Sequence, residues 1–275
     1  MDEYFGYKEV IPSDDELNHI FSSNPENIYG CLRNQYLIVK DSSDEIIEPL
    51  RCDGEHLVKV PYKVINSKYL GAVKPRNIHQ RLAIDLLYND STTVKIITGK
   101  FGTGKDFLMC SAAIDMIESG KYEKIVYVRN NIEVKDSKPI GFLPGSFNEK
   151  MLPFAMPMAD HLGGIDGLWH MIDRGTIEVV HLGFIRGRDI KNSIIICSEA
   201  ENMTKEHIQL LLGRVGEGSA LWINGDFKQC DDKVFEKNSG LLTAVDRLKG
   251  HPLFGYVKLV KTERSETAAM ADLLD

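Results

Sequence analysis

Eight residues near the middle of the chain, Gly99-Lys100-Phe101-Gly102-Thr103-Gly104-Lys105-Asp106, combine types that can hold an anion. Glycines at this spacing let the backbone turn tightly so that successive N–H groups converge. Lys105 adds a full positive charge, and a helix opening here would add the partial charge of its N-terminus. Phosphate oxygens are what such a cradle suits, so Gly99 to Asp106 are the candidate residues for a nucleoside triphosphate, ATP first. One position departs from the usual pattern. After the lysine a Ser or Thr hydroxyl ordinarily ligates Mg²⁺, and here Asp106 stands.

The matching carboxylate is expected at the end of another buried strand, as Asp followed by Glu. The run Ser193-Ile194-Ile195-Ile196-Cys197-Ser198-Glu199 puts Ser198 in the Asp position and keeps Glu199 in the place of the residue that activates water. The two departures are complementary, since hydroxyl has become carboxylate at one position and carboxylate hydroxyl at the other. An Asp106/Ser198 pair would keep one negative charge, one hydroxyl and a hydrogen bond between them, still an oxygen-rich site for Mg²⁺. The alternative is decay to a nucleotide binder without turnover.

Other residues carry two readings each. Gln229, three residues beyond Gly225-Asp226, either senses a γ-phosphate or lies on a surface turn. Gln80, in Arg76-Asn77-Ile78-His79-Gln80, either reads an adenine edge or is an exposed helical residue. Arg264 either stabilises charge on a γ-phosphate during transfer or pairs with Glu263 or Glu266. Arg186-Gly187-Arg188, with Lys191 close by, suits nucleic acid, a neighbouring subunit or a solvated loop.

Positioning these groups requires strand ends and helix starts. Val94–Thr98 reads as a strand and Phe107–Ile117 as a helix, with Leu108, Ala112 and Met116 on one face. Further short β runs fall at 125–128, 177–180, 194–197, 220–223 and 256–260. Apolar β runs spaced by helical segments predict an α/β fold with a mostly parallel sheet covered on both faces. Before Pro75 the texture differs. Runs at 36–39, 45–47 and 57–60, separated by Asp41-Ser42-Ser43-Asp44 and Asp53-Gly54, predict a small antiparallel β module. Residues 1–26, with seven acidic residues against Lys8, read as a peripheral acidic arm. The expected division is 1–74 for arm and module and 75–275 for the nucleotide-binding domain.

The chain of 275 residues has a formal charge of −7, so any contact with nucleic acid must use a local patch. Its five cysteines are scattered without a C-x-x-C pair, which argues against a disulfide framework and a zinc site. The histidines show no metal-ligand spacing. No basic segment followed by an apolar run opens the chain, and no apolar stretch approaches a membrane span, so a cytoplasmic protein is expected.

Taken together and in this order, these blocks resemble the PhoH-like family of P-loop ATPases, whose core is similar to the first motor domain of superfamily-one helicases. The resemblance covers about residues 75–275. It is carried by Pro75 to Gln80, Gly99 to Lys105, Val128-Arg129-Asn130, Gly141-Phe142-Leu143-Pro144-Gly145, Glu149-Lys150, Arg186-Gly187-Arg188, Glu199-Ala200, Gly225-Asp226 with Gln229, and Glu263-Arg264-Ser265. It implies a RecA-like fold, ATP binding and hydrolysis, Mg²⁺, assembly into a ring such as a hexamer, and an association with RNA or with unwinding; phage-encoded members share the layout. Asp106 and Ser198 depart from the family pattern, which bears on hydrolysis rather than binding. Three functions compete: an oligomeric Mg²⁺-dependent ATPase acting on or near RNA or single-stranded DNA, a non-hydrolysing ATP-dependent scaffold, and a small-molecule kinase. The first casts Lys105, Glu199, Gln229 and Arg264 as catalytic. The last is disfavoured by the strand-end Gly225-Asp226 with Gln229 and by the absence of an evident Arg-rich lid. A single motor core also needs a neighbour to cover the γ-phosphate, with Arg264, Arg214 or Arg188 as candidates.

Overall fold

A computed structural model describes residues 3–129, 155–227 and 238–263. Six parallel strands form its centre: β7 (Val94–Gly99), β8 (Lys124–Arg129), β9 (Ile177–His181), β10 (Ser193–Ser198), β11 (Ala220–Gly225) and β12 (Phe254–Leu259), in the order β12-β7-β11-β10-β8-β9. Side chains alternate between the faces of such a sheet, and both faces here are apolar. Ile194 and Ile196 pack with α2 (Ile78–Tyr88) and α3 (Lys105–Glu118), while Ile195 and Cys197 face α5 (Lys205–Leu212) and α6 (Gly240–Leu248). A further helix, α4 (Ile165–Asp173), joins the first of these layers. This is the expected α/β architecture, a RecA-like P-loop core preceded by a small strand module. It places β11 between the strand that ends at Gly99 and the strand that ends at Ser198, so the two halves of the candidate site face each other across one strand.

The N-terminal module is a four-stranded sheet in the order β1-β2-β3-β4, from β1 (Tyr7–Val10), β2 (Tyr36–Lys40), β3 (Ile46–Cys52) and β4 (Leu57–Lys59). Strands β2 to β4 pair antiparallel as expected, but β1 runs parallel to β2, so the sheet is mixed. The acidic arm is therefore less peripheral than its charge suggests. It carries a helix, α1 (Asp14–Ile20), whose Ile20 joins the module's core, and residues before β1 reach the main sheet. Lys258 N donates to Phe5 O (3.0 Å), and Tyr4 stacks on Tyr256. These contacts cover β12, the edge of the sheet nearest the loop, as an exposed edge strand requires. A hairpin of β5 (Ile65–Ser67) and β6 (Gly71–Val73) leads to α2. Tyr36 and Ile38 share one core with Leu82 and Leu86 of α2, and Asp85 of α2 accepts from Tyr36 (2.9 Å) and Arg51 (3.0 Å).

Candidate functional site

The glycine loop joins the end of β7 to the start of α3. Gly102 and Gly104 hold φ of +73° and +91°, which favour glycine. At Gly99 a Cβ would lie 2.5 Å from Leu259 O, so β12 also excludes a side chain there. The loop's carbonyls are turned into the molecule. Lys105 Nζ donates to Gly99 O (2.8 Å) and Lys100 O (3.3 Å), Glu263 N to Gly102 O (2.8 Å), and Gln80 Nε2 to Thr103 O (3.0 Å). Carbonyls engaged inward leave the opposite side of the loop to N–H groups, the arrangement that suits an anion.

On the first turn of α3, Asp106 meets the end of β10. Ser198 Oγ donates to Asp106 Oδ1 at 2.8 Å, and Asn224 Nδ2, from β11, donates to the same oxygen at 2.9 Å. Ser198 Oγ also lies 3.4 Å from Asn224 Oδ1, which accepts from Glu199 N at the same distance. Cys110, Tyr127 and His161 line the pocket behind the carboxylate, and burial pushes the His161 pKa down. Asn224 was not singled out by its sequence context. Its one signal is an amide at the end of the otherwise apolar Ala220-Leu221-Trp222-Ile223.

Glu199 adopts a left-handed conformation, φ 57°, uncommon for a residue with a side chain. Its carboxylate is ion-paired to Arg129, at the end of β8. A second carboxylate lies deeper. Glu201 is buried, and its Oε2 accepts from Asp226 N (3.1 Å) just where a Cβ on Gly225 would fall. Burial pushes the Glu201 pKa up to about 7; two backbone N–H groups and Lys105 oppose that rise, and the Asp226 charge adds to it.

The structure thus gathers Gly99 to Asp106, Gln80, Ser198 and Glu199 at one end of the sheet, where ligands of parallel α/β folds bind. Gln80 is buried, with both amide ends engaged by backbone, since its Oε1 accepts from Arg76 N at 2.9 Å. Gln229 and Arg264 lie outside the described residues. Arg188 is committed to Glu178 through two bonds of 2.8 and 3.1 Å, whereas Arg186 is exposed. Arg214 donates to Arg188 O (3.3 Å).

Residues 72–272 match the family model described as PhoH-like protein. The chain belongs to the PhoH-like family. It is 33% identical to Protein PhoH2 of Bacillus subtilis over 98% of this chain and 64% of that protein. It is 34% identical to Protein PhoH2 of Mycolicibacterium smegmatis over 72% of this chain and 46% of the relative. A PhoH-like protein of Bacillus subtilis is 33% identical over 64% of this chain and 56% of its own length. The chain therefore spans about half to two thirds of the curated relatives it matches. Family membership makes it a PhoH-like nucleotide-binding protein. Among the described residues, no helix is long and apolar enough to cross a membrane.

Proposed function

We propose that this PhoH-like chain is a Mg²⁺-dependent ATPase that works as a homo-oligomeric ring on or near RNA or single-stranded DNA in the cytoplasm. Residues 75–275 form its ATPase domain, and residues 1–74 an arm and buttressing module. The observation that carries the reading is the hydrogen bond from Ser198 to Asp106 with Asn224 bridging them. A decayed site would have no reason to retain a carboxylate and a hydroxyl facing each other across β11 after both had changed type. The donors present are hard oxygens, Asp106, Ser198 and the Asn224 carbonyl, which fit Mg²⁺. Among the described residues there is no cluster of three His, Cys, Asp or Glu side chains for a metal. Mg²⁺ is usually held by one or two carboxylates together with phosphates and water. When bound, the ion would neutralise the charge that develops on the phosphates during transfer.

In this reading the loop amides and Lys105 bind the triphosphate, Gln80 holds the loop, and Glu199 orients the attacking water. Gln229 and Arg264 are assigned γ-phosphate sensing and charge stabilisation on sequence alone. In the ring, a neighbouring subunit covers the γ-phosphate. The reading is tested by phosphate release from Asp106→Thr, Ser198→Asp and the double variant. Each single change should lower turnover, and the double should recover much of it; additive losses would refute the exchange. A second reading, a nucleotide-dependent scaffold without turnover, is favoured by one observation, the engagement of Glu199 by Arg129. It predicts ATP binding with no phosphate release under any condition.

A further inference from the structure

Arg129 stands level with Ser198 of β10 on one side and His181 of β9 on the other. The nucleotide loop follows β7, on the far side of β10 and β11 from Arg129. By pairing with Arg129, the Glu199 carboxylate is therefore drawn along the sheet edge away from the loop it would have to serve. A guanidinium stays charged, so only a competing anion would exchange this pair at little cost.

Arg129 is 9% exposed, and its neighbour on β9, His181, leads out to exposed groups. His181 Nδ1 accepts from Gly183 N (3.0 Å), and its ring packs edge-on against Phe184 at 5.8 Å. Phe184 is 63% exposed although it is a large apolar residue, and Arg186 beside it is exposed too. An exposed aromatic ring with a cation near it in the chain can stack an unpaired base while the phosphate meets the cation.

We propose that Arg129 is a gate on hydrolysis opened by single-stranded nucleic acid. A base stacks on Phe184, a neighbouring phosphate takes the Arg129 guanidinium, and Glu199 is released toward β11 to orient the attacking water. The gate rests on the ATPase reading above and adds its regulation and its polymer contact.

Steady-state phosphate release by the full chain at saturating ATP tests it, with poly(U), with poly(dT), with inorganic polyphosphate as an anion lacking bases, and with no addition. The basal rate measures the fraction of time Glu199 is released, so Arg129→Met should raise it roughly five- to tenfold and abolish further stimulation. Wild type should show that rise only with a single strand. Arg129→Lys should keep a low basal rate and part of the stimulation. Phe184→Ala should raise the poly(U) concentration needed for half-stimulation about tenfold, the worth of one stacked base. A lowered basal rate in Arg129→Met, or its stimulation by poly(U) to the wild-type extent, overturns the gate, because a merely structural arginine gives loss rather than gain. Equal stimulation by polyphosphate overturns the nucleic-acid assignment. Should Arg129→Met not fold, Arg129→Gln, which keeps a hydrogen-bonding head without the charge, asks the same question. ATP binding with no phosphate release from wild type or variant defeats the ATPase reading and the gate with it. Turnover in wild type with a lowered rate in the variant defeats the gate alone.

Discussion

Two buried lysines, one just beyond β7 and one within it, are held by different parts of the backbone. Lys105, just beyond the strand's end, donates to two loop carbonyls and interacts with the Glu201 charge at the mouth of the sheet. Lys95, near its start, has Leu87 O as acceptor and lies 5.5 Å from the centre of the Trp222 ring. Burial pushes the Lys95 pKa down to about 7, with the Lys121 charge adding to the effect and Asp90 and Asp85 opposing it. Burial alone therefore does not mark a functional cation. What separates the two is which backbone they hold: Lys105 grips the carbonyls of the glycine loop itself, whereas Lys95 ties down Leu87 O of α2 and has the packing of a residue that tolerates losing its proton.

The largest effect expected from this contrast is at Lys105. Lys105→Ala should weaken ATP binding about a hundredfold, the scale of a lost charge-assisted phosphate contact, while moving the thermal midpoint little. Titration calorimetry measures the affinity, and an unchanged value would end the phosphate-loop assignment. Lys95→Met should do the reverse and stabilise the fold by about 2 kcal/mol, as removal of a poorly compensated buried charge does, with ATP affinity untouched. Its pH signature is distinctive. Below pH 7 Lys95 is charged in both folded and unfolded chains, so its cost is complete. Between about 7 and the ordinary lysine value of 10.5 the unfolded chain keeps a proton that the folded chain has given up, so stability rises with pH. Denaturant titrations from pH 7 to 9 should show a steeper rise in wild type than in Lys95→Met; parallel curves would mean that Lys95 is not the titrating group.

How much of this was legible beforehand follows from which interactions are local. The loop and its flanking elements are legible because glycine spacing and the period-two runs lie within a few dozen residues. The Asp106 and Ser198 contact is legible because Asp106 directly follows the loop lysine at the start of α3 and Ser198 ends a buried strand. Asn224 and Arg129 are not. Their partners depend on β11 lying beside β10, and β8 on the other side, and the order of parallel strands is set by crossover packing that apolar patterning does not encode. The arm misleads for another reason. Counting its acidic residues hides Tyr4, Phe5 and Tyr7, whose rings and backbone fasten it to β12 and β2.

The smallest effect sharpens the comparison most. Glu201 is a buried charge like Lys95 but sits on the functional side, so removing it should touch both stability and binding. Between pH 4.5 and about 7 the folded chain holds a proton on Glu201 that the unfolded chain has released, so stability falls as pH rises through that window, and the full cost remains above it. Glu201→Gln should erase that slope and add about 1 kcal/mol at pH 7.5, less than the desolvation alone implies because the Asp226 N–H then donates to a neutral oxygen. It should also tighten ATP binding about twofold, since one negative charge near Lys105 is gone. Denaturation and calorimetry on the same variant check both parts. A stability gain with unaltered ATP affinity would place Glu201 with Lys95 as a buried charge the fold merely carries. A change in both would show that Glu201 tunes the field in which the phosphates are held.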